Sequence, residues 1–528
     1  MTRRRRPFRA ALTAVIASAA ALTLAACGSV TTTPGWEPRP ATAATVALSD
    51  TLATPPDAVA SALDSRLLYN ADPGAGVAAR WAEIPGDTRL TTELRDRVAS
   101  AIAAQAAATG VPYRPAADAP TLSPDARGCV QGSTTRPAAD LLADPAFTPP
   151  GGGPTVTVTC EVLAASGPLL VESLRILTAA GGQVASDTTT TYYAETSGGF
   201  LITGDQLITD EGRRVLLGDL VQSLKVAAGA MEPRMKADPA GFTPEQLTAW
   251  FSRASFTADG SLVVTVPDDF TVPELDELAP VPRPSPLVVT VPAAEATAML
   301  TPEGAQVQAA LASAAPLSLP PAPFRGQEQV DCSFFACMAL TFDDGPGPYT
   351  AQVLDDLDAR RAAATFFLQG VNVVRYPDAV QRMDGEGHQI GNHTWNHPDL
   401  TKLTDPEIKD QLDRTSSAIR SAVGHAATTF RPPYGAYDDR VLAQTSLPAI
   451  LWSIDTNDWQ LPDDATFLDR AVTAARPGSI VLCHDVHENT ARMVPPIVDG
   501  LQGRGFTLVT VQQLLGGTPA AHTTTTRG

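Results

Sequence analysis

Apolar positions recur with two different periods along this chain, and the change from one regime to the other divides it. In residues 57–313, Leu94, Val98 and Ile102 fall at helical spacing, while Val156 to Leu163 alternates as a strand does. Thr209 to Val226 carries Val215, Leu216, Leu220 and Leu224 on one face of a predicted helix. Thr243-Pro244-Glu245-Gln246 is a helix start, with a capping Thr, Pro in the first turn and Gln three residues on. The runs from Leu262 to Pro267 and from Leu287 to Pro292 have the same six residues and read as strands. Together these predict a separate α+β accessory domain over 57–313. Residues 314–331 hold Pro316, Pro320, Pro321 and Pro323, the composition of a semi-rigid linker.

From Cys332 the pattern changes to short apolar runs separated by helical stretches. The runs are Met338–Phe342, Thr365–Leu368, Gln389–Gly391, Thr428–Phe430, Ala449–Ile454, Ser479–Leu482 and Thr507–Val509. Such alternation predicts parallel strands with crossover helices, an α/β domain over 332–516 shaped as a compact or incomplete (β/α) barrel. Thr404-Asp405-Pro406-Glu407 supplies a capping box for one crossover helix and Gly424 its stop. The last residues, 517–528, with four consecutive threonines, read as a disordered tail.

The first residues carry a different signal. Arg3, Arg4, Arg5, Arg6 and Arg9 precede an apolar run from Ala10 to Ala26, which reads as a secretion signal and is too short and Ala-rich for a comfortable membrane span. Leu24-Ala25-Ala26-Cys27-Gly28 resembles the bacterial lipobox, which implies a lipoprotein signal over 1–27 cut just before Cys27, which becomes the lipidated first residue of an extracytoplasmic chain anchored to the cell membrane. Residues 28–56, rich in Thr, Ala and Pro, then form a flexible tether. The formal charge of −19, from 38 basic and 57 acidic residues, argues against nucleic acid as a partner. Cysteine usage suits an oxidising compartment: proximity in sequence pairs Cys129 with Cys160 and Cys332 with Cys337, leaving Cys483 as a buried thiol.

Reactive residue types follow the predicted strands of the second domain. Asp343 and Asp344 end the first strand, and two adjacent carboxylates call for a cation or a retained proton. His393 and His397, spaced so that one helical turn would put both rings on one side, follow the third. Arg431 and Tyr434 follow the fourth, Asp455, Asp458 and Trp459 the fifth, and His484 and Asp485 the sixth. In a barrel these loops converge on one face. All seven histidines lie from His388 onward, so no catalysis is expected before residue 330.

Thr341-Phe342-Asp343-Asp344-Gly345, His393-Thr394-Trp395-Asn396-His397, Arg431-Pro432-Pro433-Tyr434-Gly435, Asp455 to Trp459 and Leu482-Cys483-His484 resemble the five ordered motifs of the NodB-homology polysaccharide deacetylases, carbohydrate esterase family four. The resemblance covers 332–516 and implies a distorted (β/α) barrel with a divalent metal, usually Zn²⁺. It assigns Asp344, His393 and His397 to the metal and makes Asp343 the base that activates water. Arg431 would orient Asp343, and His484, set by Asp458, would be the acid. The Tyr434 backbone N–H would share the oxyanion, while Trp459 and Leu482 would line the substrate cleft. Residues 57–313 loosely resemble the extracellular domains that precede the enzyme domain in some secreted bacterial deacetylases; the same domain type occurs in lysozyme-sensing membrane proteins.

The expected function is hydrolytic removal of N-acetyl groups from cell-wall glycan, foremost peptidoglycan. Chitooligosaccharide and O-acetyl xylan stay open as substrates, as does any protein partner of residues 57–313. A non-catalytic wall-binding or sensing lipoprotein is the competing class.

Overall fold

The computed structural model describes residue 59 and residues 62–528, except 87, 228–238, 258, 268–269 and 277–286. The signal 1–27, with Cys27, and the tether 28–56 lie outside the described residues. Among those described, no helix is long and apolar enough to cross a membrane.

The first region contains a sheet of six strands in sequential order: β1 (Asp64–Asn70), β2 (Gly76–Glu83), β3 (Thr155–Ser166), β4 (Leu169–Ala180), β5 (Gln183–Glu195) and β6 (Leu201–Thr203). The predicted alternating strand lies within β3. Helix Arg89–Thr109, capped by the Thr88 side chain, buries Leu90, Leu94, Val98 and Ile102 in the same cluster as Val156, Val158, Leu170 and Leu174 of the sheet. A second, three-stranded sheet contains β7 (Arg253–Phe256), β8 (Leu262–Val266) and β9 (Leu287–Val291). The two identical runs are therefore neighbours, antiparallel with Leu262 opposite Val291. Helix Asp210–Ala227 differs from expectation in its buried stripe. Leu216, Leu217, Leu220 and Val221 point inward, whereas Val215 precedes that stripe and is exposed.

In the second region β10 (Ala336–Asp343) is central to a parallel sheet ordered β12 (Gln389–Asn392), β11 (Ala364–Leu368), β10, β15 (Ile480–His484) and β14 (Ile454–Asp455). All eight residues of β10 are buried, as expected of a parallel strand covered on both faces. β16 (Phe506–Leu508) pairs with the start of β10. Two predicted strands shrink. The run Thr428–Phe430 keeps only single parallel bridges from Phe430 to Asn392 and to Ala449, because Pro432 and Pro433 follow and proline donates nothing to a ladder. Ala449–Ile454 breaks into β13 (Ala449–Ile450) and β14, because the Ile450 and Leu451 carbonyls turn to the Arg431 guanidinium.

Residues 57–313 and 332–516, expected as separate domains joined by a semi-rigid Pro-rich linker, pack against each other. Trp81 of β2, Phe335, Cys337 of β10, Phe367, Ile480 and Val509 share one hydrophobic cluster with the helix Arg89–Thr109, so the two regions bury each other's apolar surface. The proline-bearing segment packs too: Leu317, Leu319 and Val330 lie against that cluster, and the Ser318 N–H donates to the Gly167 carbonyl at 2.7 Å. Buried Arg325 joins the regions by pairing with Asp64 of β1 and with Glu328. Burial disfavours the Asp64 carboxylate, but Arg325, Arg66 and Arg361 outweigh it and hold its pKa far below the ordinary range. Arg325→Ala should lower the unfolding free energy by about 3 kcal/mol, because Asp64 and Glu328 stay buried with fewer partners. A shifted urea midpoint would register this, and an unshifted one would contradict it. Residues 517–528 are likewise ordered. β17 (Thr524–Thr525) pairs in parallel with β13, and backbone hydrogen bonds outweigh what the threonine-rich composition suggested. Both expected disulfides, Cys129–Cys160 and Cys332–Cys337, are formed, and Cys483 is buried and free.

Candidate active site and metal centre

Asp343 is the last residue of β10 and is buried; Asp344, one step on, takes a left-handed φ of 72° that turns the chain out of the sheet. The two carboxylates thereby acquire different partners. Asp343 Oδ1 accepts from Arg431 at 2.8 Å. That guanidinium is fully buried and donates also to Thr341 Oγ1 at 2.7 Å, to the Ile450 carbonyl at 2.9 Å and to the Leu451 carbonyl at 2.9 Å. It sits 4.1 Å from the centre of the Phe367 ring. Burial pulls the Arg431 pKa below its ordinary value, and the Asp343 carboxylate opposes that pull. With its donors committed and no room to swing, Arg431 fixes where the Asp343 carboxylate points.

Asp344 belongs to a different group. Its carboxylate and the rings of His393 and His397 bring three ligand atoms within 4.8 Å of one another. Asp344 Oδ1 is 3.5 Å from Nε2 of each histidine. His393 Nδ1 lies 2.7 Å from the Arg431 carbonyl, which can only accept, so Nδ1 carries the proton and Nε2 is left with a lone pair facing Asp344. The histidines are not on a helix as their spacing suggested. They sit on a turn in which Thr394 and His397 have φ of 65° and 64°. Asn392 Oδ1 accepts from the Thr394 N–H at 2.8 Å and Thr394 Oγ1 from the His397 N–H at 3.1 Å, bonds that replace the helical ones. Burial followed by the His393 charge holds His397 below the ordinary histidine pKa. Burial acts against the Asp344 carboxylate, but His393, His397 and His484 prevail and lower its pKa. One carboxylate and two imidazole nitrogens fit a divalent cation of the zinc type. Cys129, Cys160 and Glu172 also lie together, but the disulfide between the cysteines removes them as a ligand set.

A second pair is built at the ends of β14 and β15. His484 Nδ1 lies 2.7 Å from Asp458 Oδ1, and the His484 N–H donates to Asp458 Oδ2 at 2.7 Å. Thr490 donates to Asp458 Oδ2 at 2.6 Å and Asn489 to the Asp458 carbonyl at 3.0 Å. Burial works against the imidazolium, but the Asp458 hydrogen bond and charge, then Asp343 and Asp344, raise the His484 pKa to about 9. Tyr434 and Trp459 are 70% and 55% exposed and so accessible to a ligand, whereas Leu482 is buried. Tyr434 has φ 61° and its ring stands 4.5 Å from that of His397. Asp455 caps the loop, accepting from the Asn457 N–H at 2.8 Å.

A family model described as polysaccharide deacetylase matches residues 335–448, which include Asp343, Asp344, His393, His397, Arg431 and Tyr434 and stop short of Asp458 and His484. A chitooligosaccharide deacetylase from Bradyrhizobium sp. (strain ANU 289) is 38% identical over 203 residues, spanning 35% of this chain and 93% of that protein. The chain belongs to the polysaccharide deacetylase family. Peptidoglycan-N-acetylglucosamine deacetylase PgdA of Listeria monocytogenes is 41% identical over 180 residues, and peptidoglycan-N-acetylmuramic acid deacetylase PdaC of Bacillus subtilis 40% over 178. Each alignment covers 34% of this chain, and the chain spans only 39% and 38% of those two relatives' lengths.

The structure brings Asp344, His393 and His397 together, pairs Asp343 with Arg431 and His484 with Asp458, and adds supports that residue type and spacing do not mark. Gln369 Nε2 donates to Asp344 Oδ1 at 2.7 Å and Asn372 Nδ2 to the Asp344 carbonyl at 2.8 Å, both from the segment after β11. Thr341, one pleat before Asp343, and Thr490 and Asn489, beyond β15, complete the supports of Arg431 and Asp458. None is marked by type or spacing, because an amide or hydroxyl gains this role only through the fold. Thr341 alone stood inside a named motif.

Proposed function

We propose that this chain is a metal-dependent deacetylase that removes N-acetyl groups from cell-wall glycan, acting on peptidoglycan amino sugars from an extracytoplasmic, lipid-anchored position. One observation carries the reading: Asp343, held by buried Arg431, stands beside the Asp344, His393 and His397 set, and His484, held by Asp458, ends the strand paired with β10 in register with Asp343. That is a base, a cation site and an acid around one point at the end of a parallel sheet, best read as the mouth of a distorted (β/α) barrel.

Asp344, His393 and His397 would hold the ion, for which Zn²⁺ suits the donor set. When bound, it supplies Lewis acidity toward the acetyl carbonyl and toward water. Asp343 takes the proton of the attacking water, its lone pair aimed by Arg431. The Tyr434 N–H donates to the oxygen on which negative charge develops. His484 gives its proton to the departing amine nitrogen, which otherwise leaves poorly. Trp459 offers its exposed face to a sugar ring and Leu482 closes the cleft on the acetyl methyl.

The relatives that support peptidoglycan act, by their names, on N-acetylglucosamine and on N-acetylmuramic acid. Mass spectra of muropeptides after incubation with the chain will assign the acetyl lost to one sugar or the other; intact muropeptides beside deacetylated chitooligosaccharide would move the substrate to the latter.

Protonated His484 is the donor, so activity should be full below its pKa and fall as pH rises through about 9. A bound divalent ion opposes the help His484 receives from Asp343 and Asp344, and so brings that limb somewhat lower. Asp458→Asn removes the charge that most favours the imidazolium, and the alkaline limb of kcat should move further toward lower pH. A limb that stays in place would exclude His484 as the acid.

A further inference from the structure

The segment 522–528 touches none of the groups just described, yet its hydrogen bonds end one peptide away from Arg431. The Leu451 N–H donates to the Thr525 carbonyl at 2.8 Å, and the Ile450 carbonyl accepts from Arg431 Nε at 2.9 Å. Ile450 C=O and Leu451 N–H are opposite ends of a single peptide plane, which is rigid. A grip on the N–H at one end fixes the direction of the C=O at the other. The Pro448–Ala449 plane, two peptides earlier, repeats the arrangement: the Ala449 N–H donates to the Thr523 carbonyl at 2.8 Å, and the Pro448 carbonyl accepts from the Phe430 N–H at 3.1 Å. The stretch 448–451 thus lies between segment 522–528 on one side and Phe430 and Arg431 on the other.

The segment is itself anchored at both ends. His522 Nδ1 lies 2.8 Å from the Leu442 carbonyl. Arg527 donates to the Pro477 carbonyl at 3.0 Å and the Gly528 N–H to the Gly478 carbonyl at 2.8 Å, beside the start of β15. It therefore spans from helix Asp439–Ala443 to the turn before β15, across the broken strand that supplies two of the four acceptors of Arg431.

We propose that residues 522–528 are a positioning element for the Arg431–Asp343 pair. Without them the Ala449 and Leu451 N–H groups turn to water, the Ile450–Leu451 plane is free to tip, and the guanidinium that aims Asp343 loses the fixed direction of its Nε acceptor. The effect on catalysis rests on the deacetylase reading above.

The test compares the full chain with one ending at residue 517 and with one ending at residue 522, each of which removes the Thr523 and Thr525 carbonyls that hold the Ala449 and Leu451 N–H groups. Both variants should fold and keep their affinity for Zn²⁺. Their kcat for acetate release should fall about tenfold at unchanged KM, the scale expected of a small misplacement of a catalytic group. In an Arg431→Ala background either truncation should cost less than about twofold, because the group the segment positions is gone; a merely structural tail would cost the same in both. Exchange of the Arg431 Nε proton with water, followed by NMR without substrate, should accelerate in both variants. Unchanged proton exchange, an equally active truncation, additive losses with Arg431→Ala, or failure of both variants to fold would each overturn the proposal. If the full chain releases no acetate, the functional reading falls, and the proton exchange still decides the positioning role.

Discussion

Asp343→Asn is expected to lower kcat about a thousandfold while leaving the cation site occupied. The substitution keeps the shape of the side chain and an oxygen for the 2.8 Å bond from Arg431, but removes the basic lone pairs that the proposed mechanism uses to take a proton from water. Asp343 Oδ2 lies 3.7 Å from His393 Nε2, farther than Asp344 Oδ1 at 3.5 Å, and Asp343 stands outside the three-ligand cluster. Zn²⁺ affinity should therefore weaken far less than on loss of a ligand. The fully buried Arg431 would lose its counter-charge, so thermal unfolding must be followed alongside to separate lost chemistry from lost fold. Comparable fall of kcat and of Zn²⁺ affinity would make Asp343 a ligand instead of a base.

His393→Ala should show the opposite pattern. Loss of a residue that only orients a ligand costs 10- to 100-fold in metal affinity, so loss of a ligand should cost at least about a hundredfold. His393 is buried and its two nitrogens face two different groups, the Arg431 carbonyl and Asp344. Its removal therefore opens the cation site and frees one end of the Arg431 backbone, and activity should disappear at trace metal. Equilibrium dialysis against Zn²⁺ reads the first effect without any substrate. Undiminished binding in His393→Ala would place the ion elsewhere.

The contrast between legible and illegible features follows from how far apart the interacting residues are. Apolar runs of the second region report their own burial, so β10, β11, β12 and β15 fall where the pattern puts them, and the Thr404 capping box does begin helix Asp405–Val423. The five motifs mark the candidate site because each is a short string of reactive types. The features that stay illegible are those whose partners are remote. Nothing in the sequence around Thr523 and Thr525 announces Ala449 and Leu451, so an ordered segment reads as a loose tail. Nothing near Pro320 announces that Arg325 will be buried on Asp64, so a packed crossing reads as a linker. The His393 and His397 spacing is compatible with a helical turn and with the observed one; Asn392 and Thr394, which bond the backbone locally, decide for the latter.

The most direct test of the central claim is acetate release from purified peptidoglycan by the full chain, measured before chelation, after it, and after Zn²⁺ is restored. A metal-assisted deacetylase built on Asp343, the Asp344, His393 and His397 set and His484 predicts release that stops on chelation, returns with Zn²⁺ and is nearly absent in Asp343→Asn. Release that persists after chelation, or none from a chain that has bound Zn²⁺, would contradict it.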